Sequence, residues 1–436
     1  MPLPGPDRGP DLRRPHRRTA MNADLASNTA VEYATGIADR LARPDAAHLP
    51  TDEPWWHQSL AHGAPGVALL HIELAAAGIR PFDRAHDWLT AVTSKPITAG
   101  ASTGLFYGAP AVARALAGAA TVRPGTYQSA LTPLTRQIAA DAHNRVDKAH
   151  ERMDAVGMLP QMAEFDTIRG LAGLGAHLLH HDPDGTALPA VLGALVRLTQ
   201  PVMVEGEAMP GWWTLTGPTG HADDEFPGGH GNFGVAHGIG GPLALLAQAL
   251  RRGIAVDGQR QAVATICAWL DSWRISTPSG HRWPYMITRD EARSTPMHVR
   301  HSGASRRPSW CYGTAGIART LHLAALALDD ADRRQTAEEA LISAVTDPEQ
   351  DALISDASLC HGYAGLARIT AHTAIDALEP AASRLRALAT EMLHRACAQA
   401  VPESPGFLEG AAGVGVAALA AEIEPATGWD TSMLIT

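Results

Sequence analysis

The stretches WCYGTAGIARTL (residues 310–321) and CHGYAGLARIT (360–370) are two copies of one pattern, and that pattern decides the fold. Each copy has a leading glycine, Gly313 or Gly362, a second glycine three residues on, and then an apolar helical run. Working outward, five more copies appear: HGAPGVALL at Gly63, YGAPAVARAL at Gly108, RGLAGLGAHLL at Gly170, HGIGGPLALL at Gly238 and EGAAGVGVAAL at Gly410. Successive leading glycines lie 45, 62, 68, 75, 49 and 48 residues apart, and a period in this range marks a repeat built from helix pairs. The second copy departs from the pattern, with Ala111 where its second glycine would stand.

A different kind of helix lies between the copies. TAVEYATGIADRLA (29–42), RQAVATICAWLDSW (260–273) and AASRLRALATEMLHRACAQA (381–400) carry charges on one face. Ala, Leu and Ile fall on the other, near the i, i+3, i+4 spacing of an amphipathic helix. The runs after the glycines are shorter and nearly uncharged, as expected of helices buried on most sides. Seven outer and seven inner helices therefore alternate. An open solenoid would need polar terminal repeats, and the last copy is as apolar as the middle ones. The expected fold is all-α: an α/α toroid over residues 23–436 as one domain, preceded by a disordered Pro/Arg-rich tail at 1–22 that offers Met21 as an alternative start. The inner helices point the same way, so the residues just before the leading glycines converge at one mouth. The segments 202–234 and 274–308 are rich in Gly, Pro, His and Trp. Loops of that length are usually functional, and a small strand-bearing insertion is expected around HRWPYMI (281–287).

The bulk numbers agree with a large helical core. Of 436 residues, 45% are hydrophobic and only 5% aromatic, and Val, Ile and Thr runs are scarce, which favours helix over sheet. The formal charge of -10 leaves no basic footprint for nucleic acid. No apolar stretch approaches the roughly 20 residues that span a bilayer, and the N-terminus lacks the apolar core of a secretory signal. The chain reads as a soluble cytoplasmic protein. Its four cysteines are too few for a disulfide framework. Cys267 and Cys397 lie within outer-helix patterns and read as packing residues.

Aligning the copies on the leading glycine puts Cys311 and Cys360 at the same offset, two residues upstream, and His361 directly follows Cys360. A lone buried cysteine is usually a small hydrophobe. Two at matching offsets beside a histidine suit one Zn2+, which takes tetrahedral sulfur and nitrogen ligands. Three protein ligands leave a fourth position open, as in catalytic rather than structural sites.

WCYGTAG, CHGYAG, AHGIGG and the terminal FLEGAAG resemble the lanthionine synthetase C-like family, the lanthipeptide cyclases of antibiotic biosynthesis, from about residue 29 onward. The resemblance implies an α/α toroid with one zinc. It implies a reaction in which precursor-peptide cysteine thiols add to dehydroalanine or dehydrobutyrine, forming thioether rings. The substrate is then a dehydrated precursor peptide prepared by a partner dehydratase, with the cyclase alone or in a membrane-associated complex. His237, in AHGIGG, matches the family's acid/base histidine. Asp166, in EFDTIRGLAG, matches an aspartate near the zinc, either orienting His237 or accepting a thiol proton. A capping carboxylate for the helix after Gly170 is the alternative. Arg307, in RPSWCYG, matches an active-site arginine that stabilises the enolate or holds the aspartate. Its neighbour Arg306 reads as a solvated charge. Tyr312 donates a phenolic hydrogen bond or packs at the mouth.

Two other functions remain consistent with these residues: a relative that adds glutathione to dehydroamino acids in proteins, and a toroidal scaffold without chemistry. A glycan-active barrel would need two carboxylates facing each other, and Asp166 and Glu409 lie far apart in the series.

Overall fold

The computed structural model describes residues 27–45, 47, 56–217, 220–221, 225–294 and 307–436. The tail at 1–22 and Arg306 fall outside these residues.

The inner helices are Ala64–Ala76, Ala109–Val122, Leu171–His181, Gly240–Arg251, Thr314–Leu328, Tyr363–Asp376 and Ala411–Leu419. Each begins at or within two residues of a leading glycine and is buried along most of its length. The outer helices are Ser27–Arg40, Asp83–Thr93, Gln128–Asp154, Ala187–Leu198, Gln259–Ser272, Ala331–Thr346 and Ala381–Ala398. They bury one face only. In Asp83–Thr93 that face is Ala85, Trp88, Leu89 and Val92, the spacing of an amphipathic helix. Each inner helix touches the next, and the last packs on both the first inner and the first outer helix. The ring is closed, an α/α toroid.

Strands occur only as two-stranded antiparallel pairs among the described residues, and they fall in the long irregular segments. Val202–Val204 pairs with Glu207–Met209, His230–Asn232 with Met286–Thr288, and Ile275–Thr277 with Gly280–Arg282. The expectation of strands around 281–287 is met.

The last residues fill the axis of the ring. Trp429, Met433, Leu434 and Ile435 are buried, and the segment bonds to inner helices from several sides. Glu73 accepts the amides of Ala426 and Thr427 at 2.9 Å each. Arg114 donates to Thr427 O at 2.9 Å. Arg319 donates to Ile435 O at 2.9 Å, and Arg368 and His372 hold Asp430 at 2.5 and 2.7 Å. Each buried charge is thereby paired or hydrogen-bonded, the condition for tolerating it.

Candidate functional site

The turns entering the inner helices repeat a hydrogen-bond scheme that fixes the mouth. The residue four before the leading glycine accepts the amide three residues on through its side chain: Ser59 from His62 (3.1 Å), Asp166 from Arg169 (2.7 Å), Ser309 from Tyr312 and Ser358 from His361 (3.3 Å each). The second glycine serves the same turn. A Cβ at Gly365 would fall 2.0 Å from Leu359 O, so the close approach is to the chain's own preceding turn rather than to a neighbouring helix. Gly313 has φ +104°, a conformation that side chains disfavour.

Neighbouring turns are then stitched together by backbone hydrogen bonds. Leu408 N donates to Ala61 O (3.0 Å), Cys360 N to Leu408 O (2.8 Å), Cys311 N to Cys360 O (3.2 Å), Val235 N to Cys311 O (3.0 Å), Thr167 N to Ala236 O (3.0 Å) and Leu60 N to Phe106 O (3.0 Å). Between the second and third copies Gly104 packs against Ile168 O instead, with no room for a Cβ. Equivalent positions of adjacent copies are thus hydrogen-bonded neighbours, and that is why Cys311 and Cys360 meet.

Ligand atoms of Cys311, Cys360 and His361 all lie within 4.8 Å of one another. Both cysteines are buried, and the His361 side chain is 21% exposed, at the open side. The neighbouring Cys360 holds the Cys311 thiol well below its ordinary range, and Cys311 in turn pushes Cys360 above it. Ser309 Oγ lies 3.5 Å from the Cys311 sulfur. His361 is raised to about 9, first by Asp356 and then by Cys311. The donor set fits zinc: two soft sulfurs and an imidazole in one small volume match ligands that bind at about 2.0–2.3 Å.

A second constellation lies in the same mouth. His237 Nδ1 is 2.7 Å from Asp166 Oδ2, while Asp166 Oδ1 accepts the amides of Arg169 (2.7 Å) and Gly170 (2.8 Å). Asp166 is buried and His237 is 20% exposed. Asp166 thus closes the turn that leads into Gly170 with one carboxylate oxygen and lays the other against the imidazole. Its oxygens are committed to these partners, and no ion pair joins it to Arg307 among the described residues. The Arg307 charge instead favours the ionised form of Cys360 and the neutral form of His361. The Tyr312 hydroxyl accepts from Asn232 Nδ2 at 3.1 Å, and its ring centroid is 6.4 Å from that of His237. Burial raises its pKa above the ordinary tyrosine value.

The sequence reading did not single out Asn232, Ser309, Asp356 or Ser358. The signal was available: Asn232, Arg307 and Asp356 each stand six residues before a leading glycine, and Asp166, Ser309 and Ser358 stand four before.

A closed ring of seven helix pairs, its mouth gathering two thiols and an imidazole beside an Asp–His pair, defines a toroid built around a candidate metal centre. The family profile described as lanthionine synthetase C-like protein matches residues 54–434, and the chain belongs to that family. Over 320 residues it is 25% identical to the nisin biosynthesis protein NisC of Lactococcus lactis subsp. lactis, spanning 71% of this chain and 72% of that one. Among solved structures, a nisin cyclase superposes with a TM-score of 0.76 at 21% identity, covering 94% of this chain and 98% of the other. That likeness is one of fold. No helix of the described residues is long and apolar enough to cross a membrane.

Proposed function

We propose that the protein is a zinc-dependent lanthionine cyclase that adds cysteine thiols of a dehydrated precursor peptide to dehydroalanine and dehydrobutyrine. The observation that carries this reading is the Cys311–Cys360–His361 cluster sharing a mouth with the Asp166–His237 pair. Family membership and the similarity to NisC support it.

The thiol sulfur bonds to Cβ of the dehydro residue, the alkene electrons move onto the carbonyl oxygen as an enolate, and a proton then reaches Cα. The proton lost by the thiol balances the one gained at carbon, so ring closure leaves the mass unchanged. Cys311, Cys360 and His361 are the residues that would hold zinc. Its contribution when bound is to acidify a thiol whose pKa is ordinarily about 8.5, so that thiolate exists at neutral pH. His237 is positioned by Asp166 at Nδ1, which leaves Nε2 to hold and deliver a proton. Tyr312 accepts from Asn232, so its own hydroxyl proton is available to the enolate oxygen, and the Arg307 charge acts on Cys360 and His361. All four cysteines are free, which supports a reducing, cytoplasmic setting. A dehydratase partner follows from the substrate's chemistry.

The test is incubation of the zinc-loaded protein with a dehydrated, cysteine-containing peptide, counting free thiols by alkylation and mass spectrometry. The peptide should lose alkylatable thiols, and Cys360→Ala should lose both ring formation and bound zinc. Ring formation as fast in Cys360→Ala as in the wild type overturns the mechanism. Consumption of added glutathione in preference to the peptide's own thiols would point to the glutathione-adding function instead.

A further inference from the structure

His361 has a carboxylate at each end of its ring. Asp356 Oδ2 lies 3.1 Å from Nε2, within hydrogen-bond reach, and Glu409 Oε1 lies 3.9 Å from Nδ1, beyond it. A neutral imidazole has one N–H and one lone pair, so the nitrogen that donates to Asp356 cannot also bind a metal.

Asp356 is itself held in a defined turn. Its Oδ1 accepts the Ser358 amide at 2.8 Å, and its carbonyl accepts from Tyr363 N at 3.2 Å. The leading glycine makes room, since a Cβ at Gly362 would fall 2.4 Å from Asp356 Oδ1. Two copies earlier the same device recurs. Asn232, also six residues before its leading glycine, accepts Gly234 N at 2.9 Å through Oδ1 and Ile239 N at 2.9 Å through its carbonyl. A Cβ at Gly238 would likewise fall 2.4 Å from Asn232 Oδ1. In both turns one terminal atom is spent on the backbone and the other reaches a residue of the mouth: Asn232 Nδ2 to Tyr312, Asp356 Oδ2 to His361.

We propose that Asp356 is a positioning residue that fixes His361 as the Nε2–H tautomer and so presents Nδ1 to the metal. This rests on the metal reading above. Outer carboxylates that orient ligating histidines typically contribute about 10–100-fold in metal affinity.

The parallel turn makes the isosteric variant informative. In Asp356→Asn the side-chain oxygen keeps the Ser358 amide, as Asn232 keeps that of Gly234, and the new NH2 group faces His361. A donor there selects the opposite tautomer, with the proton on Nδ1. Asp356→Asn should therefore fold as the wild type does, yet bind zinc about 10–100-fold more weakly in chelator competition. Asp356→Ala, which frees the ring without inverting it, should lose no more than that. Asn232→Ala breaks the equivalent turn and serves as the control, since a merely structural role predicts losses from the two alanine variants and none from Asp356→Asn; its zinc affinity should stay within about threefold. Wild-type affinity in folded Asp356→Asn overturns the proposal, as does an equal loss in Asn232→Ala. Should Asp356→Ala fail to fold, Asp356→Asn alone decides. A wild-type protein that binds no zinc at all fails the proposed function instead, so the two failures are distinguishable.

Discussion

The inner helices do different work at the mouth and further along their length. At the mouth, polar groups have one fixed partner and one side left open: His237 is tied to Asp166 through Nδ1 alone, and His361 to Asp356 through Nε2. Further along, Glu73, Arg114, Arg319 and Arg368 bond to the C-terminal segment. The helix Tyr363–Asp376 shows both, with Cys360 and His361 just before its start and Arg368 and His372 clamped on Asp430 further along. Open valence on a rigid scaffold is what chemistry needs, and saturated valence is what burial of charge needs. Substitutions at the mouth should then change metal or turnover without changing the folding stability of the metal-free protein, and substitutions at the axis should do the reverse.

The largest effect after metal loss is expected at His237. His237→Ala should keep zinc and its thermal midpoint while ring formation slows by about 10²–10⁴-fold, the usual contribution of a positioned acid or base. Single-turnover cyclisation with a zinc assay measures both. Loss of zinc in this variant would mean that His237 also helps to hold the metal site.

Next comes Asp430→Ala at the axis. It leaves the buried Arg368 charge unpaired, which costs about 3–5 kcal/mol, read by denaturant unfolding of the zinc-loaded protein, with zinc affinity unchanged. The pH dependence has a definite sign. Burial alone would raise the Asp430 carboxyl, but the hydrogen bonds and charges of His372 and Arg368 outweigh it and hold it well below the usual range. Its contribution is present above the unfolded value of about 4 and is lost as pH falls through the folded one. Measured in a His372→Asn background, which removes the neighbouring imidazole's own titration, the stability gap opened by Asp430→Ala should therefore be constant from about pH 5 upward and shrink in acid below about pH 4. A gap that widened in acid would mean the pair is not what stabilises the axis.

The division was half legible in the sequence. The leading glycines fixed the helix count, the register and the meeting of Cys311 with Cys360, because a repeat carries its geometry in its spacing. The outer helices were placed within about two residues, at 260–273 against Gln259–Ser272 and 381–400 against Ala381–Ala398, the ordinary uncertainty of helix ends. Asp356 was missed because the copies were compared only at the two positions before the glycine. Four positions further out, Asn232, Arg307 and Asp356 line up, yet their residue types differ because each meets a different partner. The axis was illegible for another reason. Arg114, Arg319 and Arg368 sit inside apolar runs, and nothing local says that residues 426–435 return through the ring to meet them.

Trp310 is where mouth and axis meet, and its substitution gives the smallest effect and the finest test. It directly precedes Cys311, is fully buried, and donates its indole N–H to Met433 O at 2.7 Å. Its ring lies 6.3 Å from that of Phe106. Trp310→Phe keeps an aromatic ring in that packing and deletes the donor, leaving the Met433 carbonyl buried without it, a cost of about 1–3 kcal/mol. If the Cys311 turn is held by its own backbone bonds to Cys360 and Val235, zinc affinity should move by less than about threefold while stability falls. A tenfold loss of zinc affinity, about 1.4 kcal/mol, would mean that the C-terminal segment helps set the thiol's position, and mouth and axis would have to be treated as one unit.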